Sequence, residues 1–320
     1  LPQAIQTMLD PADTGPACLS LCQDVQGEIF DYPEEFFKER IHNIRRPKPD
    51  DFQIKQAMEK IKKSKKPIII SGGGVFYSDA MDELGSFAIK HNIPVTQTVM
   101  GYSTMKRDHS HFVGPIGGLG GKAANNLAKE TDLAICVGTK LADFTTGSWA
   151  NFENPEFKLV SINIARHDAN KHLAEAVIGD AKVCLSELSN SLGNWKSPDS
   201  WHKKSQDELK SWNEYVDKES GPTNQETPNY AHAVGAIYRN SDPTDIAVTA
   251  AGGLVGEVVQ VWRPKELNTH ETEWGFSCMS YEISGALGIK MANPDKDVIA
   301  FVGDGSYLFC LLYTSDAADE

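Results

Sequence analysis

No run of apolar residues in this 320-residue chain approaches the length that crosses a bilayer, so no membrane partner and a soluble protein are expected. Positive charge is in short supply. The chain carries 31 Lys and Arg against 44 Asp and Glu, a formal net charge of -13. Such a field repels a phosphate backbone, which argues against nucleic acid as a partner. The basic run Lys60–Lys66 reads as the solvated end of a helix before Pro67, where cations complement the dipole. Cysteine is sparse as well. The six residues at 18, 22, 136, 184, 278 and 310 form no C-x-x-C pair and have no His at zinc spacing. They read as reduced thiols of a cytoplasmic protein. Neither an initiator Met nor a signal core opens the chain at Leu1-Pro2, so it reads as starting mid-protein with no targeting segment. Repeats and low-complexity tracts are also lacking.

What is present alternates. From about residue 51 to 195, helical patterns such as Ile54, Ala57, Met58, Ile61 and Met81, Leu84, Phe87, Ala88 take turns with short apolar runs. Those runs, at 67–70, 93–96, 133–137 and 159–162, predict buried parallel strands with helices on both faces, a doubly wound α/β domain. Asp50 or Asp51 caps the first helix, and Asp180 with Ala181 opens the last. Residues 31–50 are charged and proline-bearing and read as a linker in which Arg45 and Arg46 face solvent. Residues 196–226 read as a helix and a second linker. From 227 to 309 a further α/β unit opens with a helix marked by Tyr230, Val234 and Ile237, then a strand at 246–249 with its loop at 250–254. Upstream, Gly15 to Cys22 predicts one buried strand whose pairing partners must lie outside the sequence.

The chemistry concentrates between Trp274 and Phe309. Val298 to Val302 predicts a strand buried on both faces, which empties into Gly303-Asp304-Gly305-Ser306. The glycines let the backbone approach a ligand, and Asp304 and the Ser306 hydroxyl supply hard oxygens, a set suited to magnesium bridging a diphosphate. Before it, Met279, Ile283, Ala286, Leu287 and Met291 share a helical face against which the strand would lie. Two other glycine clusters invite a dinucleotide reading. Gly72-Gly73-Gly74 follows a strand without the required spacing, while Gly118 to Ala123 has a G-x-G-x-x-A spacing without a clear strand before it. Turns in a structural domain are the favoured reading of both.

The order Cys278-Met279, Gly285, Ala286, Gly288 and GDGS resembles the diphosphate-binding domain of thiamine-diphosphate enzymes of the acetolactate-synthase type. GPACLSLCQDVQGEIFDYP resembles the closing segment of that family's pyrimidine-binding domain. Glu282-Ile283 stands where other members carry a proline, and YEISGALGIKMA is most similar to the branch of trihydroxycyclohexanedione hydrolases in myo-inositol breakdown. The resemblance implies an order of domains: the end of a truncated pyrimidine-binding domain at 1–30, a linker, a central domain, a second linker, and the truncated diphosphate-binding domain at 227–309. It also implies thiamine diphosphate and Mg2+ as cofactors. Gly252, Gly253, Leu254, Gly303, Gly305 and Ser306 would contact the diphosphate, and Asp304 would hold the metal. Met279 would wedge the cofactor's two rings into a bent shape, and a carbonyl near Ser277 would accept from its exocyclic amine.

By the same resemblance the activating Glu lies in the missing pyrimidine domain, and the site forms between subunits of a homodimer or homotetramer. The fragment alone is then not a catalyst. The implied reaction is ring C–C hydrolysis of a cyclic 1,2-dione to 5-deoxy-glucuronate. A carboligase like acetolactate synthase and a flavin- or nicotinamide-binding module remain as alternatives. His270, Glu271 and Glu282 are nearby acid/base groups that read as surface or structural. Residues 310–320 read as a non-native tail, similar to the translation of a sequencing-library adapter.

Overall fold

The computed structural model describes residues 1–309. Nine strands build two parallel sheets. In the first, β1 (Pro67–Ser71), β2 (Val95–Gln97), β3 (Phe112–Pro115), β4 (Leu133–Val137), β5 (Lys158–Asn163) and β6 (Glu175–Ile178) lie in the order β3-β2-β1-β4-β5-β6. That is the doubly wound order, in which the chain reverses direction across the sheet at β1 and β4. Alternate residues of each strand serve opposite faces. Ile69, Ile135, Val160 and Ile162 meet α1 (Asp51–Lys63), α2 (Met81–His91) and α4 (Ala181–Leu192). Ile68, Ile70, Ala134 and Cys136 meet α3 (Lys122–Glu130) and α5 (Asp199–Glu219). Because both faces are covered, these strands read as unbroken apolar runs.

Local chemistry ends the helices where the sequence suggests. Asp50 caps α1 by accepting from Phe52 N–H at 2.8 Å, and Asp180 caps α4 by accepting from Lys182 N–H at 3.1 Å. Arg46 is exposed, as expected, but it also pairs at 3.0 Å with the Asp180 carboxylate, which is buried and needs a counter-charge. Gly15 to Cys22 forms no strand. No strand among the described residues takes its main-chain groups, and Leu19 and Leu21 are exposed.

The second sheet is small, with β7 (Ile246–Thr249) between β8 (His270–Thr272) and β9 (Val298–Ala300), all parallel. Around it stand α6 (Tyr230–Asn240), α7 (Leu254–Val261), α8 (Tyr281–Ala292) and α9 (Asp304–Phe309). Loops at the carboxyl end of the first sheet hold the second in place. Ser103 Oγ accepts from Thr269 and His270 N–H at 3.2 Å each, and Arg107 N–H donates to Pro264 O at 2.7 Å. Gln260 Nε2 donates to Leu119 O at 3.3 Å. Among the described residues, no helix is long and apolar enough to cross a membrane.

Two buried imidazoles make this fold sensitive to acid. Burial pushes His270 from 6.5 down to about 4 where it lies edge-on to Tyr102. Burial, with His202 stacked 4.2 Å away and His109 nearby, does the same to His111. The unfolded chain takes up more protons between these values, so stability is complete above about pH 6.5 and falls as the pH drops toward about 4. The urea midpoint is therefore expected to fall between about pH 7 and 5 and to stay level from about pH 7 to 8. A midpoint that did not move on acidification would contradict the burial of both rings.

Candidate functional site

Three turns meet at the carboxyl ends of the three small-sheet strands. Strand β7 pairs Ile246 with Val298 and Val248 with Ala300, and Phe301 N–H continues the ladder to Val248 O at 2.9 Å. The turn after β7, Ala250–Gly253, and the turn after β9, Val302 to Ser306, thus leave the sheet side by side. Open parallel sheets collect ligands at this end. Gly252 needs its lack of side chain, since its φ is +80°. Gly303 does not: its φ is outside the left-handed region, and an added Cβ would meet nothing within 4 Å. Neither backbone geometry nor a neighbour among the described residues calls for glycine there.

The third turn joins β8 to α8. Its conformation is strained, with Ser277 at φ 52° and Ser280 at φ 76°. Glu273 holds it in that shape: its carboxylate accepts from Cys278 N–H at 2.6 Å and from Phe276 N–H at 3.3 Å. Ser280 Oγ donates to Ser306 O, and the methyl of Met279 lies 3.4 Å from where a Cβ on Gly305 would stand. Met279, expected as the wedge, is thereby brought against the GDGS turn, with Ser277 two residues before it. Asp304 is exposed and accepts from its neighbour Gly305 N–H at 2.9 Å. Among the described residues no three His, Cys, Asp or Glu side chains gather for a metal, so Asp304 offers a cation one carboxylate.

Several expectations change. The strand at Val298 is half-buried, not buried on both faces, because β9 is the edge of its sheet among the described residues. On α8 the face of Leu287 and Met291 is exposed, at 60% and 76%, while Glu282, read as a surface or structural group, is buried. His270 sits in the core. Glu271 is partly buried, and burial raises its carboxyl above the usual range against the hydrogen bond that the Tyr281 hydroxyl gives it. The cluster Gly118 to Ala123 does follow a strand, β3, which its Gly114-Pro115 ending disguised as a turn. Its space is taken by protein all the same: a Cβ on Gly121 would lie 2.7 Å from Trp212 Nε1. At Gly72 a Cβ would lie 2.4 Å from Gly138 O. Glu273, which sequence reasoning passed over, is legible only once the turn is folded beneath it. The expected tail at 310–320 lies outside the described residues.

Residues 54–188 match the thiamine pyrophosphate enzyme central domain, and residues 250–320 match the C-terminal TPP binding domain of the same enzymes. With the two α/β units and the three convergent turns, these matches define the class: the chain belongs to the thiamine pyrophosphate enzymes. Within it, the chain is similar to proteins named 3D-(3,5/4)-trihydroxycyclohexane-1,2-dione hydrolase. It is 39% identical to the one from Clostridium perfringens, 40% to that from Clostridium tetani and 39% to that from Bacillus anthracis. Each match covers 95% of this chain and 51% of the relative, so the chain spans about half the length of the curated relatives it matches.

Proposed function

We propose that the full-length protein is a thiamine-diphosphate- and magnesium-dependent hydrolase that opens a ring C–C bond of trihydroxycyclohexane-1,2-dione to give 5-deoxy-glucuronate. The observation that carries the reading is the meeting of Met279, Gly305 and the Ala250–Gly253 turn at one end of one sheet. The names and extent of the relatives supply the substrate class. The residues fit the cofactor: Gly303 is open without internal need, and Gly252 and Gly253 expose backbone N–H groups beside it.

Bound thiamine diphosphate supplies a carbon nucleophile for attack on a ketone. The protein's part is to hold and shape it. Backbone N–H groups of Gly252, Gly253 and Leu254 and the Gly303–Ser306 turn would hold the diphosphate, and Asp304 would hold magnesium. Met279, apolar and deformable, would wedge the cofactor's rings, and Glu273 keeps the turn that carries it from relaxing. Glu271, whose carboxyl burial raises above its usual range, lies on β8 just before the turn that carries Met279. The protein works in the cytoplasm as a homodimer or homotetramer, with the activating Glu on the portion of the relatives' length outside this chain.

Assay of the full-length protein with the cyclic dione and with pyruvate tests the reading. Dione consumption that requires both thiamine diphosphate and magnesium is expected. Pyruvate coupling without dione hydrolysis would transfer the assignment to a carboligase, and extraction of flavin or nicotinamide without thiamine would remove it from this cofactor.

A further inference from the structure

Glu282 is fully buried, 0% exposed, in the first turn of α8. A carboxylate so placed costs folding stability unless donors fill its oxygens. One oxygen, Oε1, accepts from a single neutral donor, Ala251 N–H, at 3.3 Å. The other, Oε2, has no partner among the described residues. An apolar side chain of similar length would remove that orphaned oxygen and leave only the Ala251 N–H without its acceptor, so packing alone does not account for glutamate. What the carboxylate does is connect the helix that follows Met279 to the turn that follows β7. Ala251 immediately precedes Gly252, whose φ of +80° sets where the N–H groups of Gly253 and Leu254 point.

We propose that Glu282 is a positioning residue, holding Ala251 so that the N–H groups after it face the diphosphate and tying that turn to the segment bearing Met279. The proposal rests on the cofactor reading of the site and deepens it. The orphaned oxygen marks a side chain kept for the site at some cost to the fold.

The test uses the full-length protein, with Glu282→Leu and Glu282→Gln compared with wild type. Thiamine diphosphate affinity is measured by calorimetry at saturating magnesium, and the thermal midpoint is measured without cofactor. The Leu variant is expected to bind about tenfold more weakly, the loss of one hydrogen bond to a charged acceptor. The Gln variant, whose amide oxygen still accepts from Ala251, should recover most of that loss. The cofactor-free midpoint of the Leu variant should match or exceed wild type. A Leu variant with wild-type affinity overturns the proposal, and so does one that fails to fold or melts lower while Gln gives no rescue, since either places Glu282 in the fold alone. Wild-type protein that binds no thiamine diphosphate brings down the cofactor reading itself, a result distinct from a failure confined to the variants.

Discussion

Asp304→Ala in the full-length protein is expected to reduce magnesium-dependent turnover by roughly 100-fold or more, because outer-shell partners of a metal already cost 10- to 100-fold when removed and the proposed function makes Asp304 a direct ligand. The effect has a clear physical origin. Asp304 is the acidic side chain of the turn after β9, and no cluster of further acidic or imidazole groups stands by to replace it among the described residues. The folded state should be little affected, since Asp304 is exposed and its one described hydrogen bond is to the adjacent Gly305 N–H. Loss of magnesium-dependent thiamine diphosphate binding with an unchanged thermal midpoint is the combined result to look for. Full turnover by the variant in chelator-treated buffer would remove Asp304 from the metal shell.

The largest effect on stability is expected far from that turn, at Gly117. Its φ is +105°, and an added Cβ would stand 2.0 Å from Phe144 O and 2.9 Å from Thr145 Cα. Neither atom belongs to a flexible side chain, so the backbone itself must shift. Gly117→Ala should cost about 3 kcal/mol, combining left-handed strain with overpacking. For a unit of this size that corresponds to a melting temperature lower by roughly 10 °C. Gly303→Ala makes the instructive contrast. With open space around it and no left-handed φ, it should leave the midpoint within about 2 °C while weakening cofactor binding. Equal stability losses at the two positions would show that the open space at Gly303 does not persist in the full-length protein. On this reading one glycine is kept for the fold and the other for the proposed cofactor.

That contrast also shows what could be read from the chain in advance. Strands β1, β4 and β5 were legible because burial on both faces demands unbroken apolar runs such as Ile68-Ile69-Ile70 and Ala134-Ile135-Cys136. Strand β3 was not, since Phe112-Val113-Gly114-Pro115 ends in residues that ordinarily signal a turn, and it is the pairing with β2 that makes it a strand. Likewise β8 consists of His270-Glu271-Thr272, whose polarity conceals a strand held by β7 and by Ser103. In the site, GDGS and Met279 carry local signals of spacing and residue type. Glu273 carries none, and Glu282 stands out only as a departure from the family pattern, because what each does depends on which N–H group the fold brings to it: Cys278 for one, Ala251 for the other.

Strand β9 closes the small sheet on one side, and the outward N–H and C=O groups of Val298 to Ala300 meet no further strand among the described residues. A row of that kind is a template to which another extended backbone can add. A recombinant polypeptide limited to these residues would therefore offer a sticky rim along which copies join edge to edge.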